Sequence, residues 1–254
     1  MHQQSNQNTE WGQASSPQKK NSYQLQVSTI NVKLLRHGKA SGEDSMETIG
    51  PGGVPKGAVL LIHSWWGLTA SCRTYASVLS DAGYLVGLTD LFDGKTAETE
   101  AEAKALRAAP RRNPMYKTLG ADIASLRAES GSIGTRLGVV GFSMGGHWAV
   151  WLSQRPEYNI AATVLYYAAR AGDFSNCRSG IIAHFAEKDP WVSASARRTM
   201  ERAIKKSGCA YTAFDYPQTQ HWFAETARFA EFDECAAHLA LDRDIGHLRQ
   251  NLIV

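Results

Sequence analysis

From residue 57 onward the chain alternates between short apolar runs bounded by glycine or polar residues and longer stretches with helical spacing. This rhythm restricts the fold more than any single motif. "GAVLLIH" (57–63) has no polar residue before its final histidine, which fits a strand buried on both faces. "TASCRTYASVLSDAG" follows, with Tyr75, Val78, Leu79 and Ala82 at helical spacing and Gly83 placed as a stop. "YLVGLT" (84–89) then reads as a strand and "TAETEAEAKALRAA" (96–109) as a helix, with Pro110 and Pro114 marking a break. The same reading predicts helix 117–129, strand 136–142, helix 144–154, strand 160–167, strand 180–186, helix 193–207, strand 210–216 and helix 223–241. Strands separated by helices in this way predict an α/β fold with a mostly parallel central sheet and helices on both faces. Ligands on such sheets bind outside the carboxyl ends of the strands, so those ends are where chemistry is sought.

The 254 residues suffice for one large domain. Residues 23–254 are expected to form it, starting with a strand at Tyr23, and residues 41–57 read as turn chemistry throughout. Residues 1–22 are polar, lack the apolar core of a secretion signal and are expected to form a disordered tail. A net charge of +3 and a pI near 8.6, with no Lys/Arg run longer than two, do not suggest nucleic acid. No apolar run approaches the length of a membrane span. Cys72, Cys177, Cys209 and Cys235 form no CxxC pair, which predicts reduced structural thiols and a cytoplasmic setting over a disulfide framework; the oligomeric state is not read from the sequence, a monomer being favoured.

"GVVGFSMGGHWAVWLS" (138–153) carries the chemistry. Gly141-Phe142-Ser143-Met144-Gly145 satisfies G-x-S-x-G, preceded by a predicted strand and followed by a predicted helix. In that setting Ser143 is a candidate nucleophile on a tight turn, with a glycine-rich packing corner as the alternative. A serine needs a base, and the base an orienting acid. "GIIAHFAEKDPWV" places Asp189 after one strand, and "YTAFDYPQTQHWF" places His221 after the next. Asp173 and Asp215 compete with Asp189. His147 faces the same side of the helix as Ser143, and His63 and His184 read as core residues within apolar strands. No H-E-x-x-H or other metal-ligand spacing is present, so no metal is expected. One oxyanion donor is expected from Met144, the residue after the nucleophile, and the other from Trp65 in "VLLIHSWWGL". Trp65, Trp66, Trp191 and Trp222 are candidate pocket walls, with core packing an equal alternative for Trp66.

The segments "VLLIHSWWGLT", "GYLVGLTDLFDGKTAET", "GVVGFSMGGHWAVWLS", "IIAHFAEKDPWVS" and "FDYPQTQHWFAE", in matching order from about residue 50 to 240, resemble the dienelactone hydrolase family of α/β-hydrolases. The resemblance implies a hydrolase without a cap domain, acting on small esters or lactones without a cofactor. It places the nucleophile on Ser143, the acid on Asp189, the base on His221 and the oxyanion donors on Trp65 and Met144. Three positions depart from the family pattern. Ser143 stands where the founding enzymes have cysteine, Ser64 where they have glutamate, and Glu225 where the lactone hydrolases have a carboxylate-binding arginine. An acid at 225 facing the cleft would repel an anionic substrate, which favours a neutral or cationic ester. The alternatives are a general serine carboxylesterase without lactone preference and a catalytically silent binding protein on the same fold.

Overall fold

The computed structural model describes residues 46–111, 113–131 and 135–252; the tail expected over 1–22 and the strand expected from Tyr23 lie outside them. In chain order the elements are β1 (Glu47–Ile49), β2 (Gly57–Ile62), α1 (Ala70–Asp81), β3 (Tyr84–Thr89), α2 (Glu100–Ala108), α3 (Met115–Ser130), β4 (Leu137–Phe142) and α4 (Met144–Ser153). They continue with β5 (Ile160–Tyr166), β6 (Gly180–Lys188), α5 (Ala194–Ser207), β7 (Tyr211–Gln220) and α6 (Glu234–Leu252). The strands form one sheet in the order β1-β3-β2-β4-β5-β6-β7. Among the described residues only the edge strand β1 is antiparallel.

Alternating side chains of each strand feed two separate cores, which explains the continuous apolar runs. Val59 and Leu61 of β2 pack with Tyr75 and Leu79 of α1 and Leu248 of α6. Ala58, Leu60 and Ile62 point the other way, to Leu119 and Ile123 of α3, Val150 of α4 and Met200 of α5. Fully burying one such aliphatic side chain stabilises the fold by about 1.5–3 kcal/mol, so covering both faces is what makes the parallel sheet stable.

The structure differs from the sequence reading at several elements. The segment read wholly as turns contains β1, whose three residues are too few for a visible alternation and are held by pairing Glu47–Ile49 with Val86–Leu88. The last helix starts at Glu234, not 223, because the Asp233 carboxylate accepts from the Ala236 N–H at 2.9 Å and caps it there. Residues 223–232 instead make successive tight turns, closed by the Asp233 N–H donating to the Phe223 carbonyl. Beyond residue 241 the helix continues because Asp244, Leu248 and Leu252 repeat its buried face. β7 runs on to Gln220, and with it the sheet reaches the residue next to His221.

His63 and His184 are core residues with satisfied rings. His63 Nε2 accepts from the Leu91 N–H at 3.0 Å. His184 bridges the Tyr216 hydroxyl and Asp244, at 2.7 Å each. All four cysteines are free thiols. Among the described residues no helix is long and apolar enough to cross a membrane.

Candidate active site

Strand order reverses between β2 and β4: from β2 the sheet grows through β3 in one direction and through β4 in the other. The loops leaving these two strands diverge, and the crevice between them lies at the carboxyl end of the sheet. One loop carries Trp65 and the other Ser143. The contact between them is close enough to demand glycine. A Cβ on Gly145 would stand 2.2 Å from the Ile62 carbonyl oxygen, and one on Gly141 would stand 2.3 Å from that of Gly145. The first turn of α4 therefore lies directly on the exit of β2. Ser143 sits at φ 50°, ψ −109°, a strained conformation for a residue with a side chain. Its N–H donates to the Tyr166 carbonyl at 2.9 Å, which ties the turn to β5.

Three of the residues picked out from the sequence meet here. The Ser143 hydroxyl lies 2.8 Å from His221 Nε2, and His221 Nδ1 lies 2.8 Å from Asp189 Oδ2. With Nδ1–H donating to the carboxylate, Nε2 is left to accept the serine proton. The other oxygen of Asp189 accepts from the N–H groups of Trp191 and Val192 at 2.8 and 3.0 Å, so the acid is fixed by its own loop. Asp173 turns back on the Ser175 N–H and Asp215 pairs with Arg197, so the competing acids are both engaged elsewhere. The N–H of Met144 opens α4, and that of Trp65 follows Ser64 on the β2 exit. Neither has an acceptor among the described residues.

The cleft around Ser143 and His221 has a volume of about 510 Å³. Trp65, Met144, Trp191 and Trp222 line it. Trp66 does not: it is 1% exposed and backs the wall, with its ring 5.6 Å from Trp65 and 5.1 Å from Trp222. Trp66 is thus a core residue, the other of the two roles its position left open.

Glu225 also departs from expectation. It is 3% exposed and stands outside the cleft, so it does not repel a substrate there. Its Oε2 accepts from the Ser64 hydroxyl at 2.7 Å and its Oε1 from the Tyr167 hydroxyl at 3.0 Å. Burial pushes this carboxyl up to about 7, against the lowering effect of the two hydroxyls and of Arg228. The charged side chains that do line the cleft are Arg107, Arg111 and Arg170. Arg111 spends its donors on the carbonyls of Leu91, Leu106, Arg107 and Ala109, closing the end of α2. Arg170 donates to the His147 carbonyl at 3.2 Å. The Arg107 guanidinium has no hydrogen-bond or ion-pair partner among the described residues. Burial lowers the His147 imidazole from its ordinary value, and Arg170 and Arg107 add to the effect. The sequence reading missed these cationic residues. The proline-flanked "RAAPRRNP" stretch after β3 was the available signal, since connections at the carboxyl edge overhang the crevice. Among the described residues no cluster of His, Cys, Asp or Glu could hold a metal ion.

A mostly parallel sheet with a strained Ser turn, helices on both faces and, among the described residues, no inserted cap defines an α/β-hydrolase fold. The profile of the dienelactone hydrolase family matches residues 47–252, and the chain belongs to that family of hydrolases. A Bradyrhizobium protein named "Probable 2-oxo-3-(5-oxofuran-2-ylidene)propanoate lactonase" is 22% identical over 209 residues, spanning 77% of this chain and 84% of that protein. Among solved structures, a dienelactone hydrolase from Anabaena variabilis superposes with a TM-score of 0.57 at 20% identity, covering 83% of this chain and 94% of that one. A dienelactone hydrolase-like promiscuous phosphotriesterase from metagenomic libraries gives a TM-score of 0.71 at 14% identity, with coverages of 81% and 92%.

Proposed function

We propose that the protein hydrolyses small carboxylic esters or lactones through Ser143, with an acyl-enzyme intermediate. The observation that carries this reading is the unbroken hydrogen-bond chain from Ser143 through His221 to Asp189, 2.8 Å at each link. Ser143 Oγ attacks the carbonyl carbon while His221 Nε2 takes its proton. Asp189 holds the imidazole tautomer and stabilises the imidazolium. The negative charge that develops on the carbonyl oxygen is held by the N–H groups of Met144 and Trp65; losing one such donor typically costs about 3–4 kcal/mol. His221 then protonates the leaving oxygen, and water, activated by the same imidazole, releases the acyl group.

The lining of the cleft narrows the substrate. Trp65, Trp191 and Trp222 offer apolar walls, Arg107 and Arg170 offer positive charge, and no Asp or Glu is among the residues that line the cleft. This combination suits a small ester or lactone bearing an anionic group, as does the carboxylate-bearing compound in the name of the Bradyrhizobium relative. The test is labelling by a fluorophosphonate probe together with turnover of an activated short-chain ester. Wild-type protein should be labelled and active, while Ser143→Ala should be neither. Equal labelling of the two would refute the serine mechanism and favour a silent binding protein.

A further inference from the structure

We propose that Glu225 is a positioning residue that sets both the oxyanion loop and the base from behind the cleft. The inference rests on the serine-hydrolase reading above. Two separate segments converge on this one carboxyl, and the backbone of Glu225 ties it to a third. Ser64, on the β2 exit, donates to Oε2 at 2.7 Å, and Ser64 immediately precedes Trp65. Tyr167, at the β5 exit, donates to Oε1 at 3.0 Å, and its ring packs 4.7 Å from that of His221. The Glu225 N–H donates to the Trp222 carbonyl at 2.9 Å, which binds the acid to the loop that carries His221.

The chemistry of the junction fits alignment better than packing. A carboxyl has two oxygens that accept in different directions, so a single side chain can hold two hydroxyls at a fixed separation. The Ser64 oxygen also receives the Trp66 N–H at 3.4 Å, so both neighbours of Trp65 are tethered through the same hydroxyl. Trp65 then has little freedom to turn its N–H away from the crevice. Tyr167, itself strained at φ 38°, is held as a rigid plate against the imidazole. A hydrocarbon in this place would fill the volume at lower desolvation cost but fix neither direction. The other ionisable groups acting on Glu225 are Arg228 and Glu231 from the 223–233 turns and Cys72 from α1. None of them is placed to substitute for its two hydrogen bonds.

The experiment uses the full chain with p-nitrophenyl acetate as probe substrate, following kcat, KM and the melting temperature for Glu225→Ala and Glu225→Gln. A misplaced oxyanion donor acts in the transition state. Glu225→Ala should therefore lower kcat about 10- to 100-fold, below the roughly 100- to 1000-fold loss of a whole donor, while KM moves by less than about threefold. Glu225→Gln keeps an oxygen for Tyr167 and a polar group for Ser64, and should recover most of kcat. A folded Glu225→Ala with kcat within twofold of wild type overturns the proposal, as does a loss confined to KM or a failure of Gln to recover. If Glu225→Ala does not fold, Ser64→Ala and Tyr167→Phe each delete one of the two bonds. A severalfold fall in kcat in each supports the proposal, and unchanged kcat in both overturns it. Wild-type protein that is neither labelled by fluorophosphonate nor active removes the serine-hydrolase reading itself, and the proposal with it. That outcome is distinct from an active enzyme indifferent to residue 225.

Discussion

Asp244 offers the sharpest test of what holds α6 to the sheet. Its side chain is fully buried and accepts from three groups on three other elements. Tyr75 of α1 donates to Oδ2 at 2.9 Å, Tyr166 of β5 donates to the same oxygen, and His184 of β6 meets Oδ1 at 2.7 Å. Burial first, and the charge of Asp244 second, pushes both phenols well above their ordinary pKa, so both remain donors. His184 in turn meets the Tyr216 hydroxyl, which Arg243 of α6 also approaches at 2.9 Å. Asp244→Ala would strand three buried donors. At about 1–3 kcal/mol for each unsatisfied group, and about 3–5 for breaking a buried pair, the expected loss is about 3–5 kcal/mol. That is a large part of a typical domain stability of roughly 5–15 kcal/mol. Asp244→Asn should be much milder, about 1 kcal/mol. Its carbonyl oxygen can serve the two tyrosines, and its amide can donate to His184 Nε2 once the imidazole proton moves to Nδ1 and is given to Tyr216. Urea unfolding followed by circular dichroism measures both variants. A loss below about 1 kcal/mol for Ala, or an Asn variant as damaged as Ala, would refute the assignment of Asp244 as the shared acceptor.

Other predictions follow from the same geometry. Because the Glu225 carboxyl is raised to about 7 in the fold from an ordinary 4.5, the native state binds that proton more tightly than the unfolded chain. Its stabilising share is complete below pH about 4.5 and lost as pH rises to about 7, so the stability of wild type relative to Glu225→Gln should fall by about 3 kcal/mol across that window. Denaturant titrations at pH 4.5 and 8 check this, and a difference independent of pH would contradict it. Gly145→Ala must move the α4 turn off the β2 exit, since its Cβ would lie 2.2 Å from a backbone oxygen. The expected outcome is a loss of more than about 2 kcal/mol, or poor folding, seen as a lower melting temperature. Arg107→Ala should raise KM about 10- to 100-fold for a carboxylate-bearing ester while leaving that for a neutral ester of equal size within threefold. Steady-state kinetics with the two substrates separates charge recognition from general damage.

The parts of the fold that were legible in the sequence are those where local pattern and tertiary burial agree. β2, β3, β4 and β5 are buried at every position, and their apolar runs declare it. The meeting of Ser143, Asp189 and His221 was foreseeable because each follows a strand, and parallel strands bring such ends to one edge. β1 was illegible since three residues carry no period, and the start of α6 because Phe223 and Ala224 imitate a helix start before Glu225 turns the chain inward. The inward direction of Glu225 could not be read from its type, as an acid four residues after a histidine is normally assumed to face solvent or ligand. Only the hydroxyls of Ser64 and Tyr167, 161 and 58 residues away, make its burial tolerable. The sequence leaves Trp66 open between cleft wall and core for a related reason: two adjacent tryptophans look alike in sequence, and the turn decides which one faces the cleft.

The aromatic wall also gives the molecule an optical signature. Trp65, Trp148, Trp191 and Trp222 border the cleft and Trp66 touches two of them, out of seven tryptophans in the chain. The ring centroids of Trp65 lie 5.0 Å from Trp191 and 6.0 Å from Trp222, and those of Trp191 and Trp222 lie 6.0 Å apart, near enough for their excited states to mix. Intrinsic emission and near-ultraviolet dichroism therefore originate largely where a substrate would sit. A molecule entering the cleft announces itself spectroscopically without a label, even when it is never turned over.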